Sequence, residues 1–590
     1  MFRLFKYLGK RDWLYAACCV GLIVLQVWLE LTIPDYTKEI TRFVSPNPIT
    51  GAMNGTMKQI LTAGGKMIAC ALGSMASVIV VHFFVAKISA SFAMRLREAL
   101  FNKVESFSMA EINKFSTASL ITRSTNDITQ VQMVLVMGLQ AAVRAPIMAV
   151  WAIAKILDRS WQWSVVVAAG VGILVLMVLI VVLFAVPKFK RIQVLTDDIN
   201  RVMRENLTGV RVVRAYNAES YQENKFEGAN DALMNNNLFA MCVMALMGPL
   251  MSVIINGMSL AIYWVGAVLI KNAPVMQRGD LFGDMASFMS YGMMVVMSFM
   301  QLTFIFVMLP RALVAARRIN EVLDLVPSIA DPASPITPSE EHKGEVEFRG
   351  VSFKYPDAED YALRDISFTA KKGDTVAFIG ATGSGKSTLI NLVPRFYDAG
   401  EGEVLIDGVN VKDYALAELH KKLGYVPQRA VLFSGSVSSN VNYGEGAGSR
   451  TEEDVKQAVA VAQGTDFVEK MEGGYNAPIA QGGTNVSGGQ KQRLSIARAV
   501  VRDPEIFIFD DSFSALDYKT DSALREALKA HTSGATCLIV AQRIGTILNA
   551  DKILVLDEGR VVGEGTHKEL MKSCEVYRQI AYSQLSKEEL

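Results

Sequence analysis

Two domains with different solvent preferences account for this chain of 590 residues: an all-α membrane domain of six helices, then an α/β domain built round a phosphate-binding loop. Three observations carry that expectation. Apolar runs of about 20 residues, enough to cross roughly 30 Å of hydrocarbon, recur through the first 310 residues and stop after Pro310. A polar stretch with Pro327, Pro332, Pro335 and Pro338 follows, as a linker does. Beyond it lies a GxxxxGK[ST] pattern between an apolar strand and an apolar helix. Composition agrees: 51% of residues are hydrophobic and 20% charged, with a mean hydropathy of +0.27, richer in apolar side chains than a soluble chain needs. At about 150 residues per domain the length also excludes a single compact domain. Lys plus Arg (59) and Asp plus Glu (58) nearly cancel, so no broad positive field exists to hold a nucleic acid by its phosphates, and nucleic acid is not an expected partner. Six cysteines, at positions 18, 19, 70, 242, 537 and 574, show no CxxC spacing, so neither a disulfide framework nor a zinc site is expected.

The expected spans are Trp13 to Pro34, Ile60 to Val85, Met133 to Leu157, Trp161 to Val186, Phe239 to Ile270 and Leu281 to Pro310, in a lipid bilayer. Arg3, Lys6, Lys10 and Arg11 precede the first, which is too long for a secretory h-region and reads as a retained span. Between spans four and five fall Lys188, Lys190, Arg191, Arg201, Arg204, Arg211, Arg214 and Lys225, whereas spans three and four are joined by a few residues near Asp158 and Arg159. The positive-inside bias puts that basic segment, the amino terminus and the stretch from Arg95 to Arg123 in the cytoplasm. Both long cytoplasmic segments are amphipathic and read as helices continuing out of the bilayer. Asn54-Gly55-Thr56, in the outer loop, matches a glycosylation triplet that is common by chance.

Polar residues in or near the spans are Glu30, His82, Arg144, Asn256, Asp284 and Gln301. Intramembrane ionisable groups point to function by default. The plainer alternative places Arg144 and Asp284 at interfaces where they snorkel, with Asn256 and Gln301 joining helices. Residues 241–310 hold 13 of the 28 methionines. Polarizable thioethers suit either a cavity that re-packs around varied apolar ligands or ordinary gap filling.

The second domain opens with alternation at Val346, Phe348, Val351 and Phe353, and again at Ile366 and Phe368, the period of half-buried strands. Thr375 to Ile379 then forms a short apolar strand leading into Gly380-Ala381-Thr382-Gly383-Ser384-Gly385-Lys386-Ser387-Thr388. Glycines let backbone N–H groups converge on phosphates, the next helix turns its positive end to them, Lys386 adds charge, and Ser387 places a hydroxyl on Mg2+. Ile506 to Phe509 is an apolar strand ending in Asp510, whose carboxylate can hold Mg2+ through water. A nucleoside triphosphate with magnesium is the expected ligand. Upstream, Asn485-Val486-Ser487-Gly488-Gly489-Gln490-Lys491-Gln492-Arg493 opens a helix with a second anion-binding turn. One nucleotide has no use for two cradles, so two copies of the domain should meet, each loop facing the other's Ser-Gly-Gly.

With these motifs in place, nearly the whole chain resembles the ATP-binding cassette exporters, half-transporters whose six spans precede a nucleotide-binding domain with a RecA-like core, an antiparallel β subdomain and a helical subdomain. The resemblance implies a membrane domain over 1–322, a linker over 323–344 and a cassette domain over 345–590. It implies that Tyr355 stacks on the adenine of ATP, that Gly380, Gly383, Ser384, Gly385, Lys386, Ser387 and Thr388 hold its phosphates, and that Asp510, Ser387 and Gln428 face Mg2+. Ser487, Gly488, Gly489 and Gln490 would be the signature, Asp517 the dimer-contact loop, and the segments around Met109 to Ser116 and Ala215 to Lys225 the coupling helices.

Three departures qualify the likeness. Where the family usually has a catalytic Glu after the Mg2+-binding Asp, this chain has Asp511, shorter by one methylene or about 1.5 Å. Gln542 replaces the switch His, and an amide cannot carry the imidazole's charge or pass its proton. Gln481 stands where many relatives carry an acidic residue. An impaired site beside an intact signature implies a heterodimer with a different half-transporter whose own site this chain completes. The implied activity is export of hydrophobic or amphipathic compounds (drugs, dyes, lipids) from a bacterial cytoplasmic membrane. A pump for one specific lipid or peptide, and an ATP-gated channel or regulatory subunit, remain the alternatives.

Overall fold

The computed structural model describes residues 1–45, 53–157, 161–338, 340–444, 447–532 and 534–584. Asp158 and Arg159 lie outside the described residues. The chain packs as two units, one of residues 1–104 and 118–325, the other of residues 105–117 and 326–590.

Six helices of the described residues are long and apolar enough to cross a membrane: Lys10–Val44, Met57–Glu105, Thr117–Leu157, Trp161–Thr208, Glu219–Asn272 and Val275–Leu323. Each contains one expected span. The second helix has 49 residues, about 70 Å at 1.5 Å per residue, so more than half of it runs outside the hydrocarbon. The fifth is interrupted at Leu246, because Pro249 has no N–H to offer the carbonyl of Ala245. Side chains such as Leu183 and Trp264 face outward, 64% and 72% exposed, as lipid contact requires. Inside, the Trp163 ring lies 4.9 Å from Phe288 and its Nε1 donates to the carbonyl of Ile262 at 3.1 Å, tying spans four, five and six.

The charges in and near the spans meet partners. Neither Arg144 nor Asp284 snorkels alone: Arg144 Nη2 meets Glu30 Oε2 at 2.8 Å, and Lys38 meets Asp284 at 2.6 Å. An isolated charge is costly in hydrocarbon, and a partner on a neighbouring span removes much of that cost. Asn256, expected to join helices, is exposed. The second coupling segment also shifts. Val210–Ala215 is a short helix, and a turn separates it from the helix starting at Glu219, so the stretch from Ala215 to Lys225 straddles that turn.

The second unit contains strands β1 (Val346–Phe353), β2 (Leu363–Ala370), β3 (Thr375–Gly380), β4 (Glu401–Ile406), β5 (Val409–Asn410), β6 (Leu423–Val426), β7 (Gly435–Ser436), β8 (Pro478–Ile479), β9 (Ile506–Asp510), β10 (Thr536–Val540), β11 (Lys552–Asp557) and β12 (Arg560–Gly565). They form an antiparallel sheet in the order β2-β1-β4-β5, a mostly parallel sheet in the order β12-β11-β3-β10-β9-β6, and a β7-β8 ribbon. Strand alternation decides which layer each residue joins. Ile506 and Ile508 pack with Val376 and Phe378 beneath the antiparallel sheet. Phe507 and Phe509 face the helical side with Leu494 and Leu524, while Ala377 and Ile379 pack on Ile544 and Tyr577. Burial on both faces explains why these strands read as unbroken apolar runs.

Candidate functional site

Parallel pairing brings the chemistry to one edge. Val540 is paired with Phe378 of β3 and with Asp510 of β9, and Val426 of β6 with Phe509. The carboxyl ends of four adjacent strands therefore lie together, which is where open α/β sheets bind ligands. The loop after β3 is Gly380 to Lys386, Gln428 follows β6, Asp511 follows β9, and Gln542 follows β10.

Within that edge the expected residues meet. Lys386 Nζ folds back on the carbonyls of Gly380 and Ala381, at 2.9 and 2.7 Å, and reaches Ser384 Oγ at 3.3 Å. Ser387 Oγ donates to Asp510 Oδ1 at 2.8 Å. Asp511 Oδ2 accepts from Gln542 Nε2 at 2.8 Å and from Gln428 Nε2 at 3.3 Å. Gly385 has φ +98, and a Cβ there would lie 2.8 Å from the carbonyl oxygen of Ala362. At Gly380 a Cβ would strike the carbonyl of Leu556, so both positions keep the loop bare of side chains, while Gly383 takes φ +86. Tyr355 OH lies 3.0 Å from Thr388 Oγ1, placing an aromatic ring beside the helix that starts at Lys386.

Burial dominates the electrostatics. It pushes the Lys386 ammonium below the ordinary lysine range against the pull of Asp511 and Asp510. It lifts the Asp510 carboxyl, with the Ser387 hydrogen bond acting the other way and the Asp511 charge adding to the rise. Asp511 is lifted too, opposed by the hydrogen bonds from Gln428 and Ser514 and by the charges of Lys386 and Arg543. The residues fit a magnesium nucleotide: a bare glycine loop with a buried ammonium whose partners are neutral oxygens suits phosphate, and hydroxyl, carboxylate and amide oxygens are hard donors suited to Mg2+. Ser387, Asp510 and Gln428 would hold that ion, which supplies charge neutralisation to the phosphoryl oxygens.

The signature turn is built but separate. Ser487 caps the helix Gly488–Val500, its Oγ accepting from Gln490 N at 3.3 Å, while Gln490 Oε1 accepts from Ser487 N at 2.8 Å. Among the described residues no hydrogen bond joins Ser487 to Gln490 with the phosphate loop of the same chain. Asp517 caps the next helix through Thr520 N at 3.0 Å.

Two contributors carry no motif. Tyr397 meets Tyr355 edge-on at 5.3 Å, and its hydroxyl accepts from Asn113 Nδ2 at 3.0 Å; Asn113 belongs to the short helix Met109–Phe115. Gln584, in the terminal helix, donates to the carbonyl of Gln542 and accepts from Ile544 N, both at 2.8 Å. An amide pairing with backbone in this way leaves no periodicity or spacing to find.

The chain was compared with known proteins. Residues 363–514 match the family of ABC transporters, and residues 16–299 the ABC transporter transmembrane region. An uncharacterized ABC transporter ATP-binding protein of Mycobacterium tuberculosis is 40% identical over 526 residues, 89% of this chain and 88% of its own length. YfiB of Bacillus subtilis, also an uncharacterized ABC transporter ATP-binding protein, is 35% identical, covering 91% and 92%. An ATP-dependent lipid A-core flippase of Pseudomonas aeruginosa is 33% identical, covering 83% and 79%. In fold, the chain is similar to a bacterial Atm1-family ABC exporter with ATP bound, with a TM-score of 0.78 at 23% identity over 97% and 98% of the two chains. Six apolar helices ahead of a phosphate-loop domain, and relatives aligned along nearly the full length, lead to one conclusion: the chain belongs to the ABC transporters, with its transmembrane region and its ATP-binding domain fused in one chain.

Proposed function

We propose that this chain is the catalytically slow half of a heterodimeric ATP-driven exporter. Its own phosphate loop holds ATP, and its Ser487 turn completes the faster site on a different half-transporter. The observation that carries this reading is the state of Asp511, whose Oδ2 is already engaged by two glutamine amides. A general base must reach the attacking water. Here the carboxylate is short, and Gln542, the residue at the switch position, ties it down and cannot relay a proton. The separation of the signature from the phosphate loop supports pairing with a second chain. So do the short helix Val210–Ala215 and the turn after it, where Val212 and Tyr216 are 61% and 79% exposed.

Hydrophobic or amphipathic cargo, lipids included, is supported by the methionines of the last two spans and by the flippase among the relatives. We place the chain in a bacterial cytoplasmic membrane with both termini inside, on the basic residues before the first span and between spans four and five. The test is Mg-ATPase turnover and dye efflux in liposomes, for this chain alone and with half-transporters from its genomic neighbourhood. Activity confined to a mixed pair, surviving Asp511→Asn and lost when the partner's catalytic carboxylate is changed, is the expected result. Turnover of tens per second by this chain alone would overturn it.

A further inference from the structure

The segment from Gln542 leaves β10 and enters the short helix Ile544–Ile547, whose N-cap is Arg543. The first N–H groups of a helix have no partner inside it, and Arg543 supplies no side-chain cap. The missing partner comes from 40 positions further along the chain. Gln584 Oε1 accepts from Ile544 N, and Gln584 Nε2 donates to the carbonyl of Gln542, both at 2.8 Å. One side-chain amide thereby holds the backbone on both sides of Arg543.

Packing puts that amide in place. In the helix Glu575–Gln584, Tyr577, Ala581 and Gln584 are spaced i, i+4 and i+7, which is one face of a helix. Tyr577 and Ala581 are fully buried and pack with Ala377 and Ile379 of β3 and with Ile544. The face that anchors the helix to the strand leading into the phosphate loop therefore ends in Gln584, at the loop after β10.

Gln542 links this staple to the nucleotide site. A side-chain amide carries two N–H donors, and Gln542 Nε2 gives one to Asp511 Oδ2 at 2.8 Å. Gln542 is exposed, which leaves the second N–H open to a phosphate oxygen at the strand edge where the phosphate loop lies. A donor serves a site only when held to within about 0.5 Å of its working position. The Gln542 side chain hangs from a carbonyl unit that Gln584 fixes.

We propose that Gln584 is a positioning residue of this chain's nucleotide site: by stapling the loop after β10 it aims the Gln542 amide at the terminal phosphate of a nucleoside triphosphate. It thereby sets the preference for triphosphate over diphosphate. The proposal rests on the reading that this chain's own phosphate loop holds ATP, and not on the heterodimer. The test is equilibrium binding of labelled AMP-PNP and labelled ADP, with Mg2+, to the full chain in nanodiscs. Gln584→Ala should weaken AMP-PNP by about threefold or more, the worth of one hydrogen bond, and leave ADP within about twofold. Gln542→Ala should show the same split, and the double variant should lose no more than Gln542→Ala alone, since Gln584 acts through Gln542. A loss of AMP-PNP binding below threefold, an equal loss for both nucleotides as general loosening of the domain would give, or additive losses in the double variant would overturn the proposal. An unaltered chain that bound neither nucleotide would remove the nucleotide site and this role together. A heterodimer test that failed while these titrations succeeded would remove the asymmetric mechanism and leave the role of Gln584 standing.

Discussion

Lengthening the side chain at position 511 should awaken this chain's own nucleotide site. Asp511 sits at φ +46, is 8% exposed, and has its Oδ2 2.8 Å from Gln542 and 3.3 Å from Gln428. Glu at this position extends the carboxylate by about 1.5 Å, and His at 542 removes the amide that tethers it and restores a group able to pass a proton. A misplacement of about 1 Å costs on the order of 10²-fold in rate, so Asp511→Glu with Gln542→His should raise kcat of the single-chain ATPase by about 10²-fold. The gain has a cost in stability. A left-handed backbone suits Asp better than Glu, and an added methylene in a packed site costs about 1–3 kcal/mol. The assay is phosphate release by the purified chain in nanodiscs, with a Lys386→Ala version as the blank. A folded, ATP-binding double variant that gains less than about tenfold would refute the reasoning, because the short tethered carboxylate would then not limit the rate.

Asp511→Asn should stabilise the cytoplasmic unit toward urea more at pH 7 than at pH 4. Burial lifts the Asp511 carboxyl above its unfolded value, so the folded state binds the extra proton and loses stability as pH rises through that window; the amide removes this loss. Ser487→Ala should cost about 1 kcal/mol of helix capping and abolish turnover of a mixed pair, while equilibrium binding of labelled ATP to this chain stays unchanged. Gln584→Ala should speed amide hydrogen exchange at Ile544 and its neighbours by about tenfold, for two lost hydrogen bonds worth about 1.4 kcal/mol together, and leave exchange in β3 as it was.

The phosphate loop and Asp510 were legible because apolar strands lead into them, whereas Asp511, Gln428 and Gln542 were legible only through the resemblance to the ATP-binding cassette exporters. Spans were legible for a similar reason: hydrocarbon thickness demands a long apolar run, and the helices contain those runs at every expected place. Legibility failed where residues act through contacts that no run or repeat records. Tyr397 lies between Phe396 and Asp398 in no motif, yet Asn113, 284 positions away, donates to its hydroxyl. Arg144 and Asp284 read as isolated charges because Glu30 and Lys38 lie on another helix of the bundle.

The sequence by itself determined the two solvents of this chain, the six crossings and the identity of the phosphate-binding loop, since each depends on side chains close together along the chain. Tertiary structure alone decided that Asp511 is tethered by two amides, that the signature turn stands apart from the loop, and that the Gln584 amide staples the segment after β10. Hydrogen bonds form between atoms about 3 Å apart whatever their distance along the chain, and only the folded backbone brings such atoms together.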